Sequence, residues 1–495
     1  MPSLMIQGCG SDVGKTVLVA GLCRLLANRG WQVRPFKPQN MSNNAAVAAD
    51  GGEIGRSTAL QALACRVPPS VDMNPILLKP QSDQTAQLIV RGERVGEFQA
   101  RAHGRDKREL LEIAVASHRA LAQAADWVVV EGAGSPAETN LRQHDIANMG
   151  FAHAADVPVV LVGDIDRGHV IASLIGAHAV LEEADRARIR GFIINKFRGD
   201  LALFDAGLAT IEQRTGWPSR GVVPWMPQAM LLPEEDALRM EVAASHGTGA
   251  TRVAHIGVVR LAHIANCDDF DPLLHEPDVR LRFLDPREPL PFDLDLVILP
   301  GSKSTIADLA LLRDCGWQHD LHAYLRRGGR VLGICAGMQM LGHAVRDPQR
   351  IEGACDAIDG FGLLDLVTEM TATKVVREVR GTEAATGARV SGYEMHIGRS
   401  SGQGMLRPMI HFDDGSCDGA LSENGRVFGC HLHGLFHSRA YRAALLQTFG
   451  VRSDGVDQHV RTNAALDEIA ATLERSLAVD ELLAIAEGAR SAHRR

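Results

Sequence analysis

The chain has 495 residues, 45% of them hydrophobic and 23% charged, with a formal net charge of −8 at pH 7. That length exceeds a single hydrophobic core and predicts two large domains, while the acidic balance speaks against nucleic acid or an anionic membrane surface as partner. No run is long and apolar enough to span a bilayer, the start Met1-Pro2-Ser3-Leu4 lacks a leader pattern, and nine cysteines without a C-x-x-C pair argue against a disulfide framework, so a cytoplasmic protein is expected.

The first expected strand is Leu4–Gln7. It runs into Gly8-Cys9-Gly10-Ser11-Asp12-Val13-Gly14-Lys15-Thr16, and the helix after it places Val17, Leu18, Leu22, Leu25 and Leu26 on one face before Gly30. A glycine-rich turn between strand and helix aims backbone N–H groups at an anion, so Gly8, Gly10, Ser11 and Gly14 are expected to cradle phosphates. Lys15 is expected at the β/γ oxygens of ATP and the Thr16 hydroxyl at Mg²⁺. Five residues separate Gly8 from Gly14, one more than in the common pattern. In this the loop resembles that of dethiobiotin synthetase-like ATPases, which activate carboxylates by phosphorylation. Gly10 stands where partition-type and Min-type ATPases carry a lysine, which argues against a membrane- or DNA-cycling switch.

Further strands are expected at Trp127–Val130, Val157–Val162 and Phe192–Asn195, alternating with helix-period segments in the manner of a parallel sheet covered on both faces. Chemistry then belongs at the strands' carboxyl ends. Glu131 ends the first of these strands and is expected to serve Mg²⁺, with Asp50 and Glu53 as further ligands or as a plain polar turn. Asp164-Ile165-Asp166-Arg167-Gly168 suits the placing of a polyanionic substrate beside a γ-phosphate, or forms a solvated loop. Asn195-Lys196 resembles the base-contacting corner of the same ATPases. The Ala/Gly/Ser/Thr-rich segment Glu241–Arg252 reads as a linker, so the first domain is expected over 1–240.

A second alternating set follows over 251–445, with strands at Val253–Val259, Leu296–Leu299, Arg330–Gly333 and Arg426–Cys430. Gly333-Ile334-Cys335-Ala336-Gly337 reads as a strand-to-helix elbow that exposes a nucleophilic cysteine and leaves the following N–H groups for an oxyanion hole. Cys335 needs a base, and His433 in His431-Leu432-His433-Gly434-Leu435 is chosen, with His431 and His396 as competitors. The spacing resembles triad glutamine amidotransferases, which carry a glutamate two residues after the histidine. Leu435 stands there, so the group that orients the imidazole stays open. The resemblance also implies Gly301 as a second oxyanion donor. Residues 446–495 read as a helical extension.

Taken together, Lys37-Pro38-Gln39-Asn40-Met41, Asp50-Gly51-Gly52-Glu53-Ile54-Gly55, Met73 to Pro80, Glu131 to Glu138, Asp164 to Gly168, Gly191 to Asp200 and Gly392-Tyr393-Glu394-Met395-His396 resemble the cobyric acid synthase family over nearly the whole length. Cys9 departs from its usual threonine or serine. The resemblance implies an α/β chain with two parallel-sheet domains, a P-loop ATPase and a class I amidotransferase. It implies a ligase that uses ATP, Mg²⁺ and glutamine to amidate the b, d, e and g carboxylates of adenosylcobyrinic acid a,c-diamide. Ammonia is expected to pass internally. The rival readings are cobyrinic acid a,c-diamide synthase, an enzyme that amidates a cell-wall carboxylate, and a nucleotide switch with a dead second domain.

Overall fold

The strand Ser3–Gly8 is buried along its whole length, as a strand covered on both sheet faces must be. It lies near the middle of a six-stranded parallel sheet, in the order Ser219–Pro224, Ile189–Phe197, Val159–Asp164, Ser3–Gly8, Trp127–Glu131, Val33–Phe36. The register sets Gly8 beside Val162, Ile6 beside Glu131 and Asp164 beside Asn195, which brings the residues picked from the sequence to one edge of the sheet. The computed structural model describes residues 2–80, 85–99, 104–233, 252–352 and 355–492.

Compact packing divides the chain into two units, Met1–Pro233 with Thr462–Arg495, and Glu234–Arg461. The expected linker at 241–252 lies outside the described residues except for Arg252. The segment 446–495 is not a separate body: it belongs to the second unit as far as Arg461 and to the first from Thr462. The cause is apolar packing. Leu466, Ile469, Ala470 and Leu473 share a core with Leu18, Leu22 and Leu25 of the helix Lys15–Asn28. Gly21 permits the approach, since a Cβ there would stand 2.5 Å from Leu473 and 2.7 Å from Ile469. Burying such a leucine contributes roughly 1.5–3 kcal/mol, so these residues anchor the chain's last helices to the phosphate-loop helix.

Beside the main sheet, the first unit carries a four-stranded sheet built from Gln39–Met41, Ile76–Pro80, Thr85–Val90 and Glu93–Gln99, which the sequence reading did not anticipate. Its strand Ile76–Pro80 presents Lys79 to Glu53, and both are fully buried as an ion pair.

In the second unit, five parallel strands run in the order Val279–Leu284, Ala254–Val259, Leu296–Leu299, Val331–Ile334, Val427–Cys430, with Ala420–Leu421 antiparallel at the edge. A separate sheet is dominated by the antiparallel pair Val367–Glu383 and Arg389–Ser401. Its importance lies at one end: Tyr393 and Glu394 pair with His433 and Leu432. The catalytic histidine expected from sequence thus sits where the two sheets of this unit meet.

Among the described residues, no helix is long and apolar enough to cross a membrane.

Candidate functional site

At the phosphate loop, Gly14 adopts φ +91° and begins the helix Lys15–Asn28. A Cβ there would lie 2.3 Å from Asn195 Nδ2, so both conformation and space require glycine. Lys15 is buried and its Nζ donates to Gly10 O at 2.9 Å and Gly134 O at 3.2 Å, spanning the mouth of the loop. Thr16 Oγ1 donates to Glu131 Oε1 at 2.8 Å. The same carboxylate accepts from Lys37 Nζ at 3.2 Å and from Gln61 Nε2. A carboxylate this deeply buried is tolerated because cation and donors surround it.

The structure therefore brings Lys15, Thr16 and Glu131 together, and adds Lys37 and Gln61. It does not bring Asp50 to them: that exposed carboxylate accepts Val71 N–H at 3.1 and 3.2 Å and caps a short 3-10 turn. Glu53 is engaged with Lys79. Among the described residues no cluster of three or more His, Cys, Asp or Glu is arranged to hold a metal. The pair Thr16 Oγ1 and Glu131 Oε1 nonetheless supplies hard oxygens at the loop, the donor type that Mg²⁺ takes while phosphates and water complete its shell.

Asn195 and Lys196 brace this loop from the strand Ile189–Phe197, next but one in the sheet. Asn195 Nδ2 donates to Val13 O at 2.8 Å, and Lys196 Nζ donates to Asp12 O at 2.5 Å and to Asp164 Oδ2 at 2.7 Å. Asp166 pairs with Arg198 at 2.8 Å, and Arg167 lies 3.7 Å from Asp12. Burial pushes the Cys9 thiol up to about 12 against the pull of Lys15, so Cys9 stays a neutral wall residue of the loop. Ser11 is exposed and Gly10 has open space where a Cβ would go, leaving the loop's outer side accessible.

In the second unit, Cys335 follows the strand Val331–Ile334 with φ +53° and ψ −113°, and the helix Ala336–Leu341 starts immediately after it. Such a conformation is costly for a side-chain-bearing residue and marks a nucleophile elbow. The flanking glycines are sterically required, since a Cβ on Gly333 would stand 2.5 Å from Met338 N and one on Gly337 1.9 Å from Leu299 O. Gly301, expected as an oxyanion donor, packs against the histidine: a Cβ there would lie 3.0 Å from His433 Cε1.

His433 stands beside Cys335 and pulls its thiol pKa down, while Cys335 Sγ lies 3.9 Å from Met395 O. His433 Nδ1 lies 2.7 Å from Asp269 Oδ2, while Gly434 N donates to Asp269 Oδ1 at 2.7 Å. Tyr393 stacks on the imidazole at 5.4 Å between ring centroids. Asp269 is the orienting group that Leu435 could not supply. It lies in the short turn Cys267–Phe270, 164 residues from the histidine, and no local pattern distinguishes it from its neighbour Asp268.

Burial opposes charge on both members of the dyad, but the interactions outweigh it. Burial raises the Cys335 thiol, yet the pull of His433 and the charges of His431 and Lys303 bring it below the ordinary thiol value. Burial likewise disfavours the His433 cation, yet the charge and hydrogen bond of Asp269, together with Cys335, hold it up at about 10. Both shifts favour the thiolate–imidazolium form of the pair. Alkylation of Cys335 by iodoacetamide, followed by mass spectrometry of the modified peptide, is accordingly expected to stay nearly flat between pH 7 and 9. A free thiol, with pKa about 8.5, would show a rate rising nearly tenfold per unit below that value; that slope at Cys335 would contradict the ion pair.

The competitors His431 and His396 form a different arrangement. His431 Nδ1 lies 2.8 Å from Asp418 Oδ1, and its ring stacks on His396 at 4.0 Å. Burial and the neighbouring His431 push His396 down to about 3, whereas Asp418 overrides burial to raise His431. His396, held neutral, stacks on His431, whose charged form Asp418 favours, and the two form a wall beside the cysteine.

Residues 4–238 match the CobQ/CobB/MinD/ParA nucleotide binding domain, and residues 255–441 match the CobB/CobQ-like glutamine amidotransferase domain. A cobyric acid synthase of Caulobacter sp. (strain K31) is 60% identical over 486 residues, covering 98% of this chain and 100% of that protein. Its counterpart from Rhizobium johnstonii is 57% identical, covering 96% of each chain. The cobyric acid synthase of Rhodobacter capsulatus is 55% identical, covering 98% of this chain and 100% of that one.

Proposed function

This chain belongs to the cobyric acid synthase family, and from that premise we propose that it couples glutamine hydrolysis at Cys335 to ATP-dependent amidation of the b, d, e and g carboxylates of adenosylcobyrinic acid a,c-diamide. The observation that carries the reading is the presence, in one chain, of a buried Cys335–His433–Asp269 relay and a phosphate loop whose Lys15 and Thr16 meet Gly134 and Glu131.

The chemistry divides between the units. The Cys335 thiolate attacks the side-chain amide carbon of glutamine, and the imidazolium of His433 gives its proton to the departing nitrogen as ammonia leaves. Water then hydrolyses the γ-glutamyl thioester, with neutral His433 accepting the water's proton. In the first unit, a carboxylate is a poor electrophile until an oxygen becomes a phosphate leaving group. Lys15 steadies the transferring γ-phosphate of ATP, and the loop's N–H groups hold the remaining phosphates. Thr16 and Glu131 would hold Mg²⁺, which would neutralise charge on the phosphates. Glu131 is in turn held in place by Lys37 and Gln61. Ammonia attacks the acyl phosphate carbon, the C–N bond forms as the C–O bond to phosphate breaks, and the proton released from nitrogen passes to phosphate.

The test uses the full-length protein with ATP, Mg²⁺, amide-¹⁵N glutamine and adenosylcobyrinic acid a,c-diamide, counting labelled nitrogens in the corrinoid by mass spectrometry. Label is expected at each of the b, d, e and g positions, with the f propionate left free. Unlabelled product here, with amidation of cobyrinic acid at a and c instead, would assign the chain to the diamide synthase reaction.

A further inference from the structure

Cys335 stands beside a second histidine–aspartate pair that the reaction above leaves without a role. Ile334 and Cys430 face each other in parallel register, and Cys335 N donates to Cys430 O at 2.8 Å, so Cys335 and His431 leave adjacent strands side by side. One carboxylate grips His431 twice: His431 Nδ1 lies 2.8 Å from Asp418 Oδ1, and the His431 backbone N–H donates to Asp418 Oδ2 at 2.7 Å. Both residues are buried, at 5% and 4% exposure. The other ring nitrogen, Nε2, is buried with no hydrogen-bond partner, so no acceptor is in reach to take a proton from it.

Asp269 holds His433 in a similar way, with one oxygen at Nδ1 and the other on the Gly434 N–H. The two pairs differ in what lies against the ring. Tyr393 stacks on His433, whereas His431 stacks at 4.0 Å on His396, whose Nε2 is 4.0 Å from Glu394 Oε1. Glu394 is itself paired with Arg377. The charged and titratable groups that face His431 are thus Asp418 of the short strand Cys417–Asp418, Glu394 and His396 of the strand Arg389–Ser401, and Cys335 of the elbow. Burial, then the neighbouring His431, pushes His396 down to about 3, so it sets no second cation against the ring. Burial opposes charge on His431, and Asp418, Cys335 and Glu394 override it.

Resting on the functional reading above, we propose that His431 is a positioning residue for glutamine hydrolysis, a fixed positive charge that keeps its proton through the cycle while His433 gives and regains its own. The chemistry has a moment that needs one. When His433 passes its proton to the departing nitrogen, the tetrahedral oxygen still carries negative charge in a buried site, where an uncompensated ion is costly. A histidine whose proton does not move compensates that charge then, and again when water attacks the thioester before His433 has taken its proton. Asp418 acts through His431, as Asp269 acts through His433.

The experiment compares the full-length wild type with His431→Asn, whose amide can still donate to Asp418 but carries no charge, and with Asp418→Asn, which leaves the imidazole in place without its carboxylate. His431→Gln serves as the neutral variant if the shorter side chain does not fold. Glutamine hydrolysis and the pH dependence of Cys335 alkylation are measured on each, with circular dichroism as the check on folding. Each variant is expected to lower kcat for glutamine about tenfold or more while KM changes less than about twofold. The pH of half-maximal alkylation is expected to rise by about one unit, a tenfold change in the ionisation of the thiol. The double variant is expected to lose no more than a single one, because the pair acts as a unit. A purely structural role would lower the amount of folded enzyme and leave the alkylation profile where it was. A folded variant that keeps either the wild-type kcat or the wild-type alkylation profile would overturn the assignment. A wild type that hydrolyses no glutamine would overturn the functional reading, and this assignment with it.

Discussion

Replacing Cys335 with alanine is expected to abolish glutamine-driven amidation while leaving the ammonium-supported reaction close to wild type. The loss should be on the order of 10⁶, about 8 kcal/mol of transition-state stabilisation, because the nucleophile and its base act as a unit and neither substitutes for the other. The thiol is nearly buried, 7% exposed, at the start of a short helix, and alanine is smaller, so the elbow is expected to persist. The ammonium arm of the assay carries the information. In the proposed reaction acyl-phosphate formation would use Lys15, Thr16 and Glu131, none of which belongs to the unit that contains Cys335. If the variant folded yet lost ammonium-supported amidation as well, the division of labour between ammonia production and carboxylate activation would be wrong.

Asp269→Asn should lower glutamine-driven turnover by roughly 10³–10⁴, again sparing the ammonium reaction. The size follows from tautomer control: a carboxylate beside Nδ1 requires a proton there and leaves Nε2 to serve the nucleophile, whereas an amide that donates to Nδ1 forces the opposite tautomer. Asp269 acts through His433, to which it lies at 2.7 Å, and also fixes Gly434 through a second 2.7 Å bond. A purely structural role would lower the amount of folded enzyme without moving its titration. A positioning role predicts a second signature. Without the negative charge that holds His433 at about 10, the imidazolium titrates at lower pH, the thiolate loses its partner, and Cys335 alkylation regains a rise across the neutral range. An unchanged pH profile with full turnover would remove Asp269 from the relay.

Much of this was legible beforehand because the relevant chemistry is local. Gly8 to Thr16 and Gly333 to Gly337 each encode a strand, a tight turn and a helix start within about ten residues, and backbone geometry there depends on neighbours in sequence. Glu131 was readable as the polar end of an apolar strand. The reading of Asp50 as a further ligand was less well founded, since a polar turn beside glycines looks alike whether it faces a nucleotide or, as here, Val71 N–H. Lys37 stood in a recognisable motif, but nothing in the motif tells that its ammonium reaches Glu131 across 94 residues.

Local sequence order was sufficient for the two α/β sheets, the phosphate loop and the cysteine elbow, since each rests on periodicity or on turn chemistry that a short peptide already contains, whereas the choice of His433 over His431 and His396 rested on resemblance to the triad amidotransferase spacing. Packing alone decided three things: that Asp269 orients His433, that the last helices close on Gly21 of the phosphate-loop helix, and that Glu131 is shared by Thr16, Lys37 and Gln61. The physical reason is common to all three. A buried charge or a bare glycine surface must find its complement somewhere in the folded chain, and which distant residue provides it depends on sheet order and register, which no short stretch of sequence contains.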